Sequence, residues 1–440
     1  MKIGLLAMSG LRAHDPALLE LGLTLPGVIE RGEVVASMPC LGLLWMAAVT
    51  PPGHDVEYFE AKNIDAIPKE IYDCDLIAVS ALTAQAFEAY RAADLFREAG
   101  VKTAIGGLHA SVCPDEAAKH FDFVFVGEAE NTWPIAVQQI NDGLESGMWK
   151  AKDYPAPRLD ELPVPRYDLL KDGNWNRFPL QTTRGCPWRC DFCASSIMLE
   201  RPYRKRPVEH VIRDLRAIKK LRRHPFIELA DDNTFVDHKW SKQLCEALIP
   251  EKVKWFTETD ISVADDGELL SLLRQARCRQ LLIGLESPEG AELAGVELQA
   301  NFKQRRASDY VDAVRRIQDA GVTVNGCFVL GLDNQRPEIF QQIYDFAMAI
   351  PLFEVQVTVM TAFPGTPLYQ RLLDEDRILE PGRWDLCTLF DVNYRPLNMT
   401  VKQLREGIYW LVEKLYSDSC MTARRRPFVE NLWNIQRQSG

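Results

Sequence analysis

The sequence predicts an α/β protein made of two successive arrays of parallel strands. Short apolar runs alternate with helix-length segments in residues 1–150, and six further strand-then-helix units begin at residue 178. A proline-rich stretch, residues 151–177, lies between the two arrays and suits an extended linker. A chain of 440 residues is also longer than one ordinary domain, so we expect separate units.

The first array is predicted to form a doubly wound, Rossmann-like sheet. Its strands are expected at "MKIGLLA", "DVEYFEA", "LIAVSAL", "KTAIGG" and "FDFVFVG", with helices through "LGLLWMAAV" and "AQAFEAYRAADLFREAG". Ligands of such sheets bind at the carboxyl ends of the strands. The candidate residues in those loops are Ser80, Thr83, Gly106, Gly107, His109, Gly127 and Glu128.

The second array, residues 178–373, is predicted to form a partial (β/α)6 barrel. Six strands, from "FPLQTTR" to "EVQVTVMTAF", are too few for a closed eight-stranded barrel, and the chemistry is expected at their C-terminal ends. Residues 374–440 are expected to form a helical cap, because "TVKQLREGIYWLVEKLYSDS" has apolar residues at helical spacing.

Charge and composition exclude some classes of protein. A formal net charge of −11 argues against a general nucleic-acid binder, which needs a basic face. We find no run of about 18 apolar residues that would span a membrane and no cleavable signal pattern, so a cytoplasmic protein without a transmembrane segment is expected.

Three cysteines stand apart from the rest. Eight of the 11 cysteines are scattered singly, as buried thiols of a reducing compartment are, whereas Cys186, Cys190 and Cys193 fall within eight positions directly after a predicted strand. Three thiolates can hold three corners of a cubane iron–sulfur cluster and leave one iron open to a small molecule. A structural zinc site would need a fourth ligand, and no further Cys or His is close in the sequence.

This cysteine spacing, after the first strand of a partial barrel, resembles the signature of the radical S-adenosylmethionine (SAM) superfamily. Phe192, just before the third cysteine, also fits. The segments "MPCLGLLWMAA", "IGGLHASVCPDEA" and "VFVGEAENTW" are similar to the cobalamin-binding domain that precedes the barrel in one branch. "IGLESPEGAEL", "CFVLGLD" and "TAFPGTPLYQRLL" resemble that branch's barrel motifs, and the C-terminal region resembles the cap of its hopanoid-methylase-like members.

The resemblance implies a set of cofactor contacts in the barrel. Cys186, Cys190 and Cys193 would ligate a [4Fe–4S] cluster whose open iron binds SAM. The SAM contacts are expected from Phe192, Asp231, Asp232, Asn233, Glu286, Gly331 and Asp333. At residues 231–233 the family's glycines are absent, so either aspartate could receive the amino group of SAM. The alternative is that Asp232 or Asn233 caps a helix.

The resemblance also implies cobalamin at the N-terminal sheet. No histidine has an aspartate two positions before it, so the Asp-x-His-x-x-Gly motif that supplies a cobalt ligand is missing. His109 is therefore expected to contact the corrin side chains or tail, or else to be a structural loop residue. Loss of the corrin from this sheet is the alternative to its retention.

The implied reaction is C-methylation. A flavodoxin- or ferredoxin-type reductant would supply the electron that cleaves SAM to a 5′-deoxyadenosyl radical, which would remove hydrogen from an unactivated carbon that methylcobalamin then methylates. The substrate would be a small or lipid-like molecule. A non-methylating radical reaction on the same scaffold and a non-catalytic iron–sulfur or corrinoid protein are the two alternatives, and the set of SAM-contact motifs disfavours the second.

Overall fold

The computed structural model describes residues 1–25, 38–170, 173, 175–195 and 202–438. Two six-stranded sheets, each with all strands parallel, dominate the fold, as the alternating pattern predicted. Within these residues, no helix combines the length and the apolar character needed to cross a membrane.

The first sheet has the strand order β2-β1-β3-β4-β5-β6. Its inner strands are apolar on both faces because helices cover both sides, and all seven residues of β1 are buried except Lys2. The edge strand β6 was not expected from the sequence, since it is short and only Trp149 on it is buried. The strands are β1 (Lys2–Met8), β2 (Asp55–Ala61), β3 (Leu76–Ser80), β4 (Lys102–Gly106), β5 (Phe123–Val126) and β6 (Gly147–Lys150), and the helices are α1 (Pro16–Thr24), α2 (Leu41–Val49), α3 (Ala86–Glu98), α4 (Leu108–Val112), α5 (Pro114–Ala117) and α6 (Trp133–Asn141).

The second sheet runs in sequence order from β7 to β14, so each strand lies beside the next one along the chain, as in an open barrel. The short pair β8 (Thr183–Arg184) and β9 (Arg204–Lys205) is antiparallel and lies outside that sheet. The six barrel strands are β7 (Phe178–Leu180), β10 (Phe226–Leu229), β11 (Lys254–Thr259), β12 (Cys278–Glu286), β13 (Thr323–Leu330) and β14 (Glu354–Val359). The helices between them are α7 (Val208–Leu221), α8 (His238–Leu248), α9 (Gly267–Gln275), α10 (Phe302–Arg306), α11 (Tyr310–Asp319) and α12 (Ile339–Ala349).

Alternating burial separates the two faces of the barrel wall. On β12, Leu281, Ile283 and Leu285 are fully buried in the main apolar core, which also contains residues of the surrounding helices. The residues between them, Leu282 and Gly284, are only partly buried. Because successive side chains of a strand point to opposite faces, Gly284 and Glu286 lie on the inner face of the barrel.

The last C-terminal helix lies beside the edge strand of the barrel. Helices α13 (Pro367–Asp374), α14 (Val401–Leu415) and α15 (Asp418–Gln438) follow the last strand. Near the start of the edge strand β14, the Arg424 guanidinium donates to the carbonyl of Leu352 at 2.8 Å, and Tyr416 Oη donates to that of Val355 at 2.8 Å. These contacts place α15 and the end of α14 beside the barrel.

The irregular segment 376–398 reaches the carboxyl ends of the strands. Tyr394 Oη donates to the carbonyl of Gly331, just past β13, at 2.9 Å. The Trp384 indole donates to Glu116 of the N-terminal unit at 3.0 Å, and the backbone N–H of His14 donates to Asp391 at 3.0 Å. The segment therefore ties the two units together, and its aromatic side chains are structural.

Candidate functional site

The loop after β8 brings the three predicted cysteines together. Cys190 is 8% exposed, and Cys186 and Cys193 are partly buried. Burial raises the pKa of Cys186 to about 11, and the thiol of Cys193 adds to the effect. Among the described residues, no three His, Cys, Asp or Glu side chains close on a single metal ion. Three thiols on one loop are the soft donor set that an iron–sulfur cluster requires, so the residues present fit a cluster.

A distant segment fixes the shape of this loop. Cys190 forms an isolated antiparallel bridge with Glu297, and the Asp191 N–H donates to the carbonyl of Val296 at 2.9 Å. The buried Glu297 carboxylate accepts four backbone N–H groups, from Arg189, Gln299, Ala300 and Phe302. Three of these bonds order the segment 297–302 itself, and the fourth, from Arg189, ties that segment to the cysteine loop.

The two adjacent aspartates after β10 have different environments. Asp231 is buried, and its two oxygens accept from the backbone N–H groups of Thr182 and Thr183 and from the hydroxyls of Thr182 and Thr234. Burial raises its pKa to about 6 despite these donors. Asp231 therefore holds the start of the cysteine loop, and its predicted contact with SAM is not supported by this placement.

Asp232 lies at the site itself. It is partly exposed, accepts from the N–H of Gly185 at 2.8 Å, and lines the cavity described below. The next helix, α8, begins at His238 with Asp237 as its N-cap. The alternative prediction, that Asp232 or Asn233 caps a helix, is therefore wrong.

Asn233 contacts a cysteine thiol and not the cavity. Its amide nitrogen lies 3.8 Å from Cys186 Sγ and 2.8 Å from Asp260 Oδ2. Asp260 Oδ2 also accepts from the indole of Trp188, within the cysteine loop, at 2.8 Å. Asn233 and Asp260 thus surround the first cysteine.

Glu286 ends β12 in a strained conformation. Its φ angle of 64° is in the left-handed region, and the register between β12 and β13 shifts there. One of its oxygens accepts from the buried ammonium of Lys303 at 2.9 Å. A side chain at Gly284 would collide with both groups, which explains the glycine at that position.

Lys303 remains a cation despite its burial. Burial lowers its pKa, but Glu286 and the thiol of Cys190 outweigh that effect and raise the pKa above its usual range. A positive charge therefore lies beside Glu286, one of the predicted SAM contacts, and close to the second cysteine.

Gly331 and Asp333 belong to the mouth of the barrel. The φ of Gly331 is +88°, and a side chain there would run into the hydroxyl of Tyr394. Asp333 pairs with Arg377 at 2.6 Å and with Arg371, which also pairs with Asp191 of the cysteine loop at 2.9 Å. Both residues therefore have partners within the protein, and their predicted contact with SAM stays a prediction.

A cavity of about 360 Å³ lies between the carboxyl edges of the two sheets. The first sheet contributes Ser80, Gly106, Gly107 and Gly127, and the barrel contributes Gln181, Arg184, Ala230 and Asp232. The wall is otherwise mainly apolar, with Leu43, Met46, Ile105, Phe125 and Trp133 among its residues. Bare backbone at the ends of β4 and β5, and the small Ser80 at the end of β3, leave room for a broad flat ligand, which fits the corrin predicted for this edge.

An ion cluster joins the two units at this cavity. Arg184, two residues before Cys186, contacts Glu128 and Glu130 at 2.7 Å each, and Arg204 also pairs with Glu128. Arg184, Glu128 and Glu130 are each less than 9% exposed. Burial would raise the pKa of Glu128, but the two guanidinium groups hold it below its usual range.

Two predicted corrin contacts do not line the cavity. His109 follows Gly107 on α4 and is 1% exposed, with Nε2 at 2.8 Å from the hydroxyl of Tyr90 and its ring against Trp384. Burial lowers its pKa. Thr83 is buried at the start of a short 3₁₀ helix. The alternative prediction, a structural role for His109, agrees with this placement.

Four residues at the site were not predicted from the sequence: Arg184, Glu297, Lys303 and Arg371. Arg184 has a local signal, because it lies on the predicted strand just before the first cysteine. Arg371 lies within the motif "TAFPGTPLYQRLL", but nothing in the motif indicates its ion pairs, and Glu297 and Lys303 lie in a segment without a motif. Only tertiary contacts bring these three residues to the cysteine loop.

Two family models match this chain in the same order as its two sheets. Residues 28–137 match the B12 binding domain, and residues 180–347 match the radical SAM superfamily. The barrel and its cysteine loop are thus those of a radical SAM enzyme.

Known proteins of similar sequence and structure cover most of the chain. Bacteriochlorophyllide d C-12(1)-methyltransferase of Chlorobaculum tepidum is 26% identical over 90% of this chain and 86% of that protein. Hopanoid C-2 methylase of Rhodopseudomonas palustris is 24% identical over 79% of this chain and 66% of that protein. The structure of TsrM, a radical SAM methyltransferase from Kitasatospora setae, with cobalamin and a [4Fe–4S] cluster bound, superposes with a TM-score of 0.63 at 15% identity, over 85% of this chain and 78% of that one.

The chain belongs to the cobalamin-dependent radical SAM enzymes, as the resemblance implied. Its cofactors are accordingly a [4Fe–4S] cluster, SAM and cobalamin.

Proposed function

We propose that this protein is a C-methyltransferase that transfers a methyl group from cobalamin to an unactivated carbon of a small, lipid-like substrate. The observation that carries the proposal is the shared cavity, which is lined by the glycine-rich edge of the first sheet on one side and by Arg184 and Asp232 of the barrel on the other. A radical formed at the barrel and a methyl donor on the sheet would then face the same substrate.

In this proposal Cys186, Cys190 and Cys193 hold the cluster. Asp232, whose carboxylate reaches the cavity, accepts the amino group of SAM. Glu286 accepts a ribose hydroxyl through the oxygen that Lys303 does not occupy. Phe192, within the cysteine loop, packs against the barrel core.

The corrin would lie against Ser80, Gly106, Gly107 and Gly127. Because the chain lacks the Asp-x-His-x-x-Gly motif and His109 is turned into the interior, no histidine of this region is proposed as a cobalt ligand. Residues 1–150 would form the cobalamin domain, 151–177 the linker, 178–373 the radical SAM barrel and 374–440 the C-terminal region.

When bound, the cofactors supply a 5′-deoxyadenosyl radical that removes hydrogen and a methyl group that replaces it. The chain's own part is placement and exclusion of water. The Arg184 cluster fixes the distance between the two sheets, and the segment 376–398 closes the seam between them. Electrons would come from a flavodoxin- or ferredoxin-type reductant.

The proposal is tested by anaerobic purification with iron, sulfide and corrin quantified, followed by incubation with SAM and a strong reductant. Four irons and one corrin per chain are expected. With substrate, both 5′-deoxyadenosine and S-adenosylhomocysteine should form, because one SAM is cleaved and a second restores the methyl donor.

The products separate methylation from its alternative. 5′-Deoxyadenosine without S-adenosylhomocysteine in the presence of turnover would contradict the methyltransferase and favour a cyclisation or rearrangement. Zinc at the three cysteines would contradict any radical reaction. A chain in which Cys186, Cys190 and Cys193 are replaced by alanine should form neither product, and Cys113→Ala, which removes a thiol of the N-terminal unit, is its matched control.

A further inference from the structure

We infer that Asn233 sets the reduction potential of the cluster by donating a hydrogen bond to the sulfur of Cys186. The inference rests on the proposed ligation by Cys186, and it assigns Asn233 a role different from the SAM contact expected from the sequence. Asn233 is a positioning and tuning residue in this view, because it acts through the cysteine sulfur.

The orientation of the Asn233 amide is fixed by its neighbours. Its oxygen accepts from the hydroxyl of Thr259 at 3.1 Å and from the backbone N–H of Asp260 at 3.2 Å. Both of these groups are donors, so the other end of the amide must be the nitrogen. That nitrogen lies 2.8 Å from Asp260 Oδ2 and 3.8 Å from Cys186 Sγ.

The amide cannot turn away from the sulfur without losing these bonds. Asn233 is 2% exposed, and no water can replace a lost partner at the surface. Asp260 is itself held by Ser262 and by the indole of Trp188, whose ring stacks on Phe302 with 3.9 Å between ring centroids. The donor is thus held rigidly beside the thiol.

A donor in this place has a definite effect on the redox chemistry. Reduction adds negative charge to the cluster and its thiolates, so an N–H group pointing at a ligand sulfur stabilises the reduced form and raises the potential. The neighbouring Asp260 carboxylate has the opposite effect on the same sulfur. The Asn233 amide nitrogen contacts both the Asp260 carboxylate and the sulfur, and it offsets the effect of that carboxylate on the potential.

The test compares three variants of the full chain. Asn233→Asp keeps the size of the side chain but replaces the donor by a carboxylate, and Asn233→Leu removes the donor without adding charge. Thr259→Val is the matched control, because it removes one hydrogen bond from Asn233 while the Asp260 N–H still orients the amide. The midpoint potential of the cluster is measured by redox titration followed by electron paramagnetic resonance.

The expected order of midpoint potentials is wild type equal to Thr259→Val, then Asn233→Leu, then Asn233→Asp, which is the most negative. An intact cluster whose potential is the same in all four proteins would overturn the inference, and so would a shift in Thr259→Val as large as that in Asn233→Leu. If Asn233→Asp fails to retain iron, Asn233→Leu alone decides between these outcomes.

Failure of the proposed function would be visible separately. A wild-type chain without a [4Fe–4S] signal would overturn both proposals. A wild-type chain with a normal cluster but no methylated product would contradict the function and leave the ordering of potentials as the decisive test of Asn233.

Discussion

The two sheets have the same architecture but different carboxyl edges. Each has six parallel strands, yet the edge of the first sheet that faces the cavity is mainly glycines and small or apolar residues, and its carboxylates Glu128 and Glu130 are taken up by Arg184. The corresponding edge of the barrel carries Asp232, Glu286 and the cations Arg184 and Lys303. One edge suits a broad ligand that is held by shape, and the other suits polar groups that are held one by one. Parallel strands thus give the location of a site, and only the residues after the strands give its chemistry.

The largest effect is expected from removing the cluster ligands. A Cys186→Ala/Cys190→Ala/Cys193→Ala chain should hold no cluster and cleave no SAM, because these three thiolates are the whole proposed ligand set. Iron analysis and the assay of 5′-deoxyadenosine measure this. Corrin binding should persist, since the glycine-lined edge is unchanged, and simultaneous loss of the corrin would mean that the two edges are not independent.

Arg184 is the link whose loss should affect both edges. Arg184→Gln leaves the buried Glu130 without its cation and leaves Glu128 with Arg204 only. We expect this to lower the free energy of unfolding by about 3 to 5 kcal/mol. Denaturant unfolding measures this cost. Lys205→Gln, which removes an exposed pair with Asp237, is the control and should cost no more than about 1 kcal/mol. Equal costs would show that burial of the Arg184 cluster is not what stabilises the contact.

The glycine edge is tested by filling it. Gly106→Leu adds a side chain at the cavity wall. Gly106 does not have a positive φ, and the nearest atom to a new Cβ is 3.7 Å away, so the backbone tolerates the change. We expect corrin affinity to fall roughly 100-fold, about 2.7 kcal/mol, with the iron content unchanged. Absorption titration of the purified chain with cobalamin gives the affinity. Gly267→Leu, where a Cβ meets open space, should bind as the wild type does.

The smallest expected effect is a pH dependence from Glu258 inside the barrel. Burial, with Glu228 and Asp232 nearby, raises its pKa from 4.5 to about 7. A carboxyl with a raised pKa favours the folded state when protonated, so its contribution to stability is present below about pH 4.5 and is lost as the pH rises to about 7. The free energy of unfolding of Glu258→Gln, relative to that of the wild type, should therefore increase by roughly 1 to 2 kcal/mol between pH 5 and pH 8. Parallel slopes of stability against pH for the two proteins would contradict this.

Sequence patterns predicted the elements better than the contacts at the site. All six barrel strands and the cysteine loop were predictable, because strand periodicity and local spacing are properties of neighbouring residues. Asp231 and Asp232 were indistinguishable in the sequence, since the difference between them is which one the Thr182–Thr183 backbone encloses. His109 illustrates the same limit: its loop was placed correctly, but the direction of its ring depends on Tyr90 and Trp384, which lie far away in the chain.

The bond between the Arg189 N–H and Glu297 spans 108 residues of sequence. During synthesis, the cysteine loop leaves the ribosome long before the carboxylate that shapes it. The three thiols are therefore available to solvent, oxidants and stray metal ions until the chain has been extended past Lys303. The loop that is proposed to hold the cluster therefore takes its final shape only after residues 297–302 have been synthesised.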